Sequence, residues 1–451
     1  MPAASAPPTD PTHSDWVLHL VPPNGGGVDR FVRELWRHRP QDRVLHVSNG
    51  QWVLEAPGHH FTALSALGPQ DASALGRPAW LHAHAASPTV RAAAQALMAS
   101  TRSPLALTLH DITFTEGQAD EQRAQLDFMR RATLLTAPSD YLRQVVARHL
   151  DAHGVEPLDC ILLPNGVAPV EAPSATAAPL PAGVFDIAVV GAMGPHKGLQ
   201  HLLDVCAALP PHRRVVLIGY ADGQLAQGWK VPERLWVHGP FEPVDLPGLL
   251  RGHGVRLVLF PAGQPESFCY ALSDVWLAGW PVLVPDQGAL GERVRRHGRG
   301  EVYDPALPPA ELAQRIDQTL QRPPPAPSGP PEPSVADMVA RLETHYRMTH
   351  TPTTLPPQDA ELQHLAQTHL DSHFFRLELL RLQGDLDAAR REAAAMRQEL
   401  DTLARDHDAR GQWIHKLEGD IAELQQALQA ANAKHPLLRA AHRRWKALTG
   451  R

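Results

Sequence analysis

Lys197 closes a run, IAVVGAMGPHK (187–197), whose residue types share one use. An apolar segment of strand character stops at Gly191. A short loop then holds Gly194, Pro195, His196 and Lys197, and helical spacing resumes after Gly198. Glycines let a backbone approach a ligand, the first amides of a helix point outward, and lysine adds a full charge, so the chemistry on offer is anion binding. The spacing is neither a G-x-G-x-x-G fingerprint nor a P-loop, since Lys197 precedes a glycine and no Ser or Thr follows it to hold magnesium. Taken alone, the loop has a lesser alternative, a structural strand-to-helix turn.

A second stretch, PESFCYALSD (265–274), offers carboxylates. Glu266 and Asp274 lie eight positions apart, about two helical turns, which predicts both on roughly one helix face. Such a pair can accept hydrogen bonds from several hydroxyls, as sugars and ribose present. The alternative for the isolated motif is an acid favoured by the helix dipole followed by a solvated aspartate.

Groups of this kind need strands to carry them. Strand-like and helical segments alternate from DWVLHLVP (15–22) through RVLHVSN, AWLHAHAA, PLALTLHD and ATLLTAPSD to DCILLPNGV (159–167). A second series follows: FDIAVVG, RRVVLIGY, RLWVHG, VRLVLFP and WPVLVPD. Strands alternating with helices predict parallel sheets, so the expected fold class is α/β, with two consecutive doubly wound domains. Ligands of such sheets bind at the carboxyl ends of the strands, and Gly191 ends one. Behind the Pro-rich QRPPPAPSGPPEP, a heptad runs from Leu379 to Leu428, with polar interruptions at His407 and Arg410, and predicts a coiled coil. The last residues, HPLLRAAHRRWKALTGR, read as a basic amphipathic tail.

Composition narrows the function. With 451 residues, 43% of them hydrophobic, and a formal charge of −6, the chain lacks the basic footprint of a duplex binder, so no nucleic-acid partner is expected. Cys160, Cys206 and Cys269 show no metal or disulfide spacing, which fits a reducing cytosol. No apolar run reaches the roughly 20 residues of a membrane span, and the start lacks a signal peptide's charge and apolar core. A cytoplasmic location, with any membrane contact peripheral, is the expectation. The 26 histidines are scattered, and pairs such as His82–His84 lack the i, i+4 spacing of a zinc protease, so no metal is expected. Two Asp-x-Asp triplets, Asp385–Asp387 and Asp406–Asp408, fall in the heptad region and read as a solvated helix face.

Together the motifs GGGVDRFVREL (25–35), LLPNGV (162–167), VGAMGPHKG (190–198) and PESFCYALSD resemble those of the family 4 (group 1) glycosyltransferases of the GT-B fold, from about Val17 to about His350. Two departures stand out: Ala192 replaces the arginine that usually follows the loop's first glycine, and Asp274 replaces the second glutamate of the acid pair. The resemblance implies an acceptor-side domain at 16–172, a linker at 173–183 and a donor domain at 184–321. Around these are expected a disordered 1–15, a Pro-rich linker at 322–334, a return helix at 335–350, a coiled coil at 358–432 and the tail at 433–451. It implies Glu266, Lys197 and His110 as the catalytic set, with His110 near the reacting carbon of the donor sugar. Gly25, Gly26, Gly191, Gly194, Phe241, Phe268, Cys269 and Asp274 are implied around the nucleotide-sugar, Phe241 near the base and Asp274 at the ribose. The implied reaction is metal-free, retaining transfer from a nucleotide-diphosphate-sugar to a glycan or lipid-linked acceptor. Leaving-group charge would fall to Lys197 and the helix N-terminus after Gly194. A homo-oligomer through the heptads and a tail at an anionic membrane surface complete the expectation. An epimerase or phosphorylase of the same fold, or an inactive interaction protein, are the alternatives.

Overall fold

Runs such as VLHLV carry no polar alternation, and strands of this kind are stable only when both faces are covered. The computed structural model describes residues 16–22, 26–48, 51–56, 60–64, 77–168, 185–220, 228–322, 332–349, 414–431 and 436–450. The chain divides into two units, residues 1–374 and 375–451.

The first unit holds two sheets. One contains β1 (Val17–Val21), β2 (Arg43–Ser48), β3 (Gln51–Ala56), β4 (His60–Leu64), β5 (Trp80–Ala83), β6 (Leu105–Thr108), β7 (Leu134–Ala137) and β8 (Cys160–Leu162), in the order β4-β3-β2-β1-β5-β6-β7-β8. All neighbours are parallel except β2–β3 and β3–β4. The other contains β9 (Ile187–Val190), β10 (Val215–Ile218), β11 (Gly228–Lys230), β12 (Leu235–Gly239), β13 (Leu257–Leu259), β14 (Val282–Pro285) and β15 (Glu301–Tyr303), ordered β11-β12-β10-β9-β13-β14-β15. Only β11 runs antiparallel in it. The two doubly wound sheets are those the sequence predicts. β3, β4, β11 and β15 are additional, and all stand at or next to sheet edges, where the apolar pattern is weakest.

In both sheets the strand order reverses at the first strand, β1 or β9, which opens a crevice at the carboxyl ends. The helix Val335–Thr349 returns to the first sheet. Its Val335, Met338, Val339, Leu342 and Tyr346 share a core with Val17, Phe31, Leu35 and Trp80. This crossing explains Gly166 of the PNG motif, where a Cβ would stand 2.4 Å from Val335 Cα. The second domain also caps the helix Asp140–Ala152 of the first: the Glu292 carboxylate accepts from the amides of Asp140 (3.1 Å) and Tyr141 (2.7 Å).

In the second unit, residues 414–431 and Pro436–Thr449 are helical. The heptad from Leu379 to residue 413, with His407 and Arg410, lies outside the described residues. No helix among the described residues is long and apolar enough to cross a membrane.

Candidate active site

The loop after β9 meets the loop after β13 backbone to backbone, and glycines make the approach possible. A Cβ on Gly198 (φ 78°) would stand 2.1 Å from the Ala262 carbonyl oxygen, and one on Gly263 would stand 2.6 Å from the Gly198 nitrogen. The Gln264 amide donates to the His196 carbonyl (2.7 Å), and the Ala262 amide donates to His201 Nδ1 (3.1 Å). Gly191 (φ 110°) sits equally close to the turn after β10, its carbonyl oxygen 2.0 Å from where a Cβ on Gly219 would lie.

This contact brings Lys197 Nζ to 3.3 Å from Glu266 Oε1, with both side chains partly open to solvent. Burial works most strongly against the lysine's charge, but the Glu266 carboxylate, with Cys269 and Tyr220, holds Lys197 above its ordinary pKa. A fixed cation therefore stands at the carboxyl end of the second sheet.

The amides of the loop depart from expectation. Residues 195–197 form a 3₁₀ turn before the helix Leu199–Ala208. The N–H groups of Lys197 and Leu199 are consumed by the Gly194 carbonyl (3.0 and 3.2 Å), and that of Gly198 by the Pro195 carbonyl (3.3 Å). Gly194 thus opens a tight turn that uses the amides of Lys197, Gly198 and Leu199, and the α-helix proper follows it.

The predicted common helix face for the two acids is not formed either. Glu266 lies in the loop, four residues ahead of the helix Tyr270–Ala278, and Cys269 between them is left-handed (φ 74°), a conformation that favours glycine. The helix phase is lost at that residue, and the two carboxylates meet different cations. Asp274 is buried and receives a two-pronged contact from Arg30 of the first domain, 2.8 Å to each oxygen. The guanidinium lies 4.4 Å from the centre of the Tyr270 ring. Arg30 stands in the quoted GGGVDRFVREL motif, on the helix Gly27–His38, yet nothing in the local pattern reveals a partner 244 positions away.

The other predicted residues are dispersed around this pair. Gly26 (φ 80°) caps the helix Gly27–His38 and faces open space, whereas Gly25 lies outside the described residues. Phe268 is buried under the Arg293 guanidinium, 3.9 Å from its ring centre, and its carbonyl accepts from Arg293 Nη1 (2.5 Å). Cys269 adjoins it, its thiol pushed up to about 12 by burial and the nearby Glu266. Phe241 follows β12 and packs against the core of the second domain. His110 joins the site through its backbone: Ser267 Oγ donates to its carbonyl, so the residue next to Glu266 ties the two domains together. Burial pushes the His110 imidazole down to about 4.

Sequence reasoning missed a cluster behind His110. His19, His82 and His84 are buried in the first sheet, and one ring nitrogen from each lies within 4.8 Å of the others, which among the described residues is the one group of three spaced to hold a metal. As it stands, the cluster is internally bonded: His82 uses Thr108 Oγ1 (2.7 Å) and the Tyr346 hydroxyl (2.8 Å), and His19 Nδ1 uses His84 Nε2 (3.0 Å).

Residues 176–328 match the family model of the glycosyl transferases group 1. No curated protein matches the chain. Among solved structures, sucrose-phosphate synthase from Thermosynechococcus elongatus aligns with a TM-score of 0.52 at 16% identity, over 83% of this chain and 100% of that one. Anabaena HepE in complex with UDP-glucose aligns with a TM-score of 0.50 at 18% identity, over 79% and 99%. At these identities the likeness is one of fold: two Rossmann-like domains in the GT-B arrangement.

Proposed function

We infer that this chain is a group 1 glycosyl transferase, and read its reaction from the cation and carboxylate that its family-matched domain brings together. It moves a hexose from a nucleotide-diphosphate-sugar to a hydroxyl of a glycan or lipid-linked acceptor, with retention, in the assembly of a bacterial surface polysaccharide. The observation that carries the reading is Lys197 held 3.3 Å from Glu266 at the carboxyl end of the second sheet. Departure of a nucleoside diphosphate develops negative charge, and a cation fixed before the reaction stabilises it without reorganisation. Glu266 keeps Lys197 charged and offers an acceptor for a sugar hydroxyl. Retention follows if the acceptor attacks on the face the diphosphate leaves. The chemistry calls for no metal, and activity is expected to persist in EDTA.

HepE, whose fold is shared, was solved with UDP-glucose, so UDP-glucose is the first donor to try. The test is a thermal-shift screen against UDP-, GDP-, ADP- and dTDP-sugars followed by donor turnover, since a ligand that binds only the folded state raises its stability. A donor-specific shift with turnover supports the reading. No shift and no turnover with any donor overturns it. A second reading, an inactive GT-B module that organises other transferases, draws on Arg30, which occupies the acid expected at the ribose. Binding without turnover by any donor would favour it.

A further inference from the structure

Three histidines are joined in one line through their ring nitrogens, each contact pairing an Nδ1 with the next ring's Nε2. His19 lies on β1, His84 directly follows β5, and His110 lies two residues past β6, on strands that are neighbours in the sheet. Asp42, ahead of β2, begins the series. Its Oδ2 is 3.2 Å from His19 Nε2, His19 Nδ1 is 3.0 Å from His84 Nε2, and His84 Nδ1 is 3.1 Å from His110 Nε2. The series climbs from the amino end of one strand to the carboxyl edge of the sheet, where His110 adjoins Ser267.

Asp42 fixes the direction. Its carboxylate already accepts from the Val17 amide (2.9 Å) and from Arg39 Nε (2.8 Å) and Nη2 (3.2 Å), so it has no proton to give, and His19 Nε2 must donate to it. A neutral His19 then accepts at Nδ1 from His84 Nε2, and a neutral His84 accepts at Nδ1 from His110 Nε2. His110 Nδ1 is left with a lone pair and no hydrogen-bond partner among the described residues. Phe31 packs against the rings of His84 (5.6 Å between centres) and His110 (4.8 Å). His82 stands beside the chain, with both nitrogens engaged elsewhere.

We propose that Asp42, His19, His84 and His110 form a directional proton relay, which takes a proton at His110 Nδ1 and holds it on His19 against the Asp42 carboxylate. This rests on the transferase reading only for the source of the proton, the attacking hydroxyl of the acceptor or of water. As that O–H bond breaks, the oxygen keeps the electron pair for the anomeric carbon and a proton joins His110 Nδ1. The His110 Nε2 proton passes to His84 Nδ1, and the His84 Nε2 proton passes to His19 Nδ1. His19 ends as the imidazolium, and the relay resets by running backwards to water after product leaves. Burial, and at His84 the neighbouring histidines as well, makes His110 and His84 poor proton acceptors, so the gain lies in delivering the charge to a carboxylate. The groups facing His19 are Asp42, His82 and His84. Arg39 on Asp42 is shared with Glu343 at 2.5 Å, so Asp42, Glu343 and Arg39 together carry one net negative charge. Arg347 beyond Glu343 is 78% exposed and screened by water.

Selective ¹⁵N-histidine labelling of the full chain tests the relay without any substrate. At pH 7.5 His19, His84 and His110 are each expected as the neutral tautomer protonated at Nε2, and on acidification the first added proton of the three is expected on His19. An Nδ1–H tautomer at neutral pH, or imidazolium appearing first at His110, would overturn the proposal. So would one zinc ion per purified chain that is lost in His84→Gln, since ligation would occupy the lone pairs the relay needs. With UDP-glucose and water, His84→Gln keeps a hydrogen-bonding side chain but cannot pass a proton, and kcat is expected to fall about a hundredfold with KM unchanged. His84→Gln combined with His110→Ala should fall little further. Unchanged kcat in a His84→Gln variant of wild-type Tm also overturns the relay. Failure of the wild type to turn over UDP-glucose counts against that donor, while the tautomers still decide the relay.

Discussion

Lys197 and Glu266 stand as an ion pair, and two substitutions would separate their proposed contributions. Lys197→Ala removes the cation proposed to face the leaving group and is expected to lower kcat by roughly a hundredfold to a thousandfold, the scale of losing one electrostatic donor, with the Tm nearly unchanged. Glu266→Gln keeps the size and is expected to lower turnover more than nucleotide affinity. Equal losses of turnover and affinity in both variants would remove that division of labour. Arg30→Ala leaves the buried Asp274 without its cation and is expected to destabilise the chain by about 3 kcal/mol, whereas Arg30→Met with Asp274→Leu recovers most of the loss. Denaturant unfolding of Arg30→Met, Asp274→Leu and the double variant checks this, and additive losses would show that the contact carries no coupling. Lys197 was legible because its loop and glycines are contiguous in sequence. Arg30 was not, because its partner arrives through the docking of another domain.

Among the described elements, the helices at 414–431 and Pro436–Thr449 leave large apolar residues exposed. Ile414, Leu417, Ile421, Leu424 and Leu428 recur at intervals of three and four and are all exposed, Leu424 to 70%. A seam of that spacing is buried by a second helix in register, which a second copy of the chain would supply. Full-length protein is expected to sediment as an oligomer at micromolar concentration, and Ile421→Glu to shift it to monomer. A wild-type monomer would sink the idea. The helix Pro436–Thr449 exposes Leu437, Trp445 and Leu448 together with Arg439, Arg443, Arg444 and Lys446. Its composition suits an anionic lipid surface. Truncation after Pro357 is expected to abolish binding to phosphatidylserine liposomes while sparing turnover of a soluble acceptor; liposome binding that survives truncation would refute the anchor. Local sequence announced the central strands and these helices, since apolar period and length suffice for them. Short edge strands such as EVY and GWK carry too little apolar pattern to be read.

For the molecule as a whole, the buried histidines set an acid limit. Burial holds His82 and His84 well below their ordinary value and pushes His110 and His253 down to about 4. An unfolded histidine takes its proton near pH 6.5, so between about 6.5 and about 4 the unfolded chain binds more protons and stability falls as the pH drops. The Tm is expected to be lower at pH 5 than at pH 7.5, and the reverse order would contradict the neutral, buried assignment. The sequence by itself determined the two parallel sheets, the glycine loop with Lys197, the acid at Glu266 and the heptad spacing, because each is written in residues close together in the chain. Only the tertiary structure decided which cation meets which carboxylate, that the turn at Gly194 consumes its own amides, and that His19, His84 and His110 form a line. Those three histidines lie far apart in sequence and become neighbours through strand order, which a parallel sheet sets by packing its crossover helices rather than by any local motif.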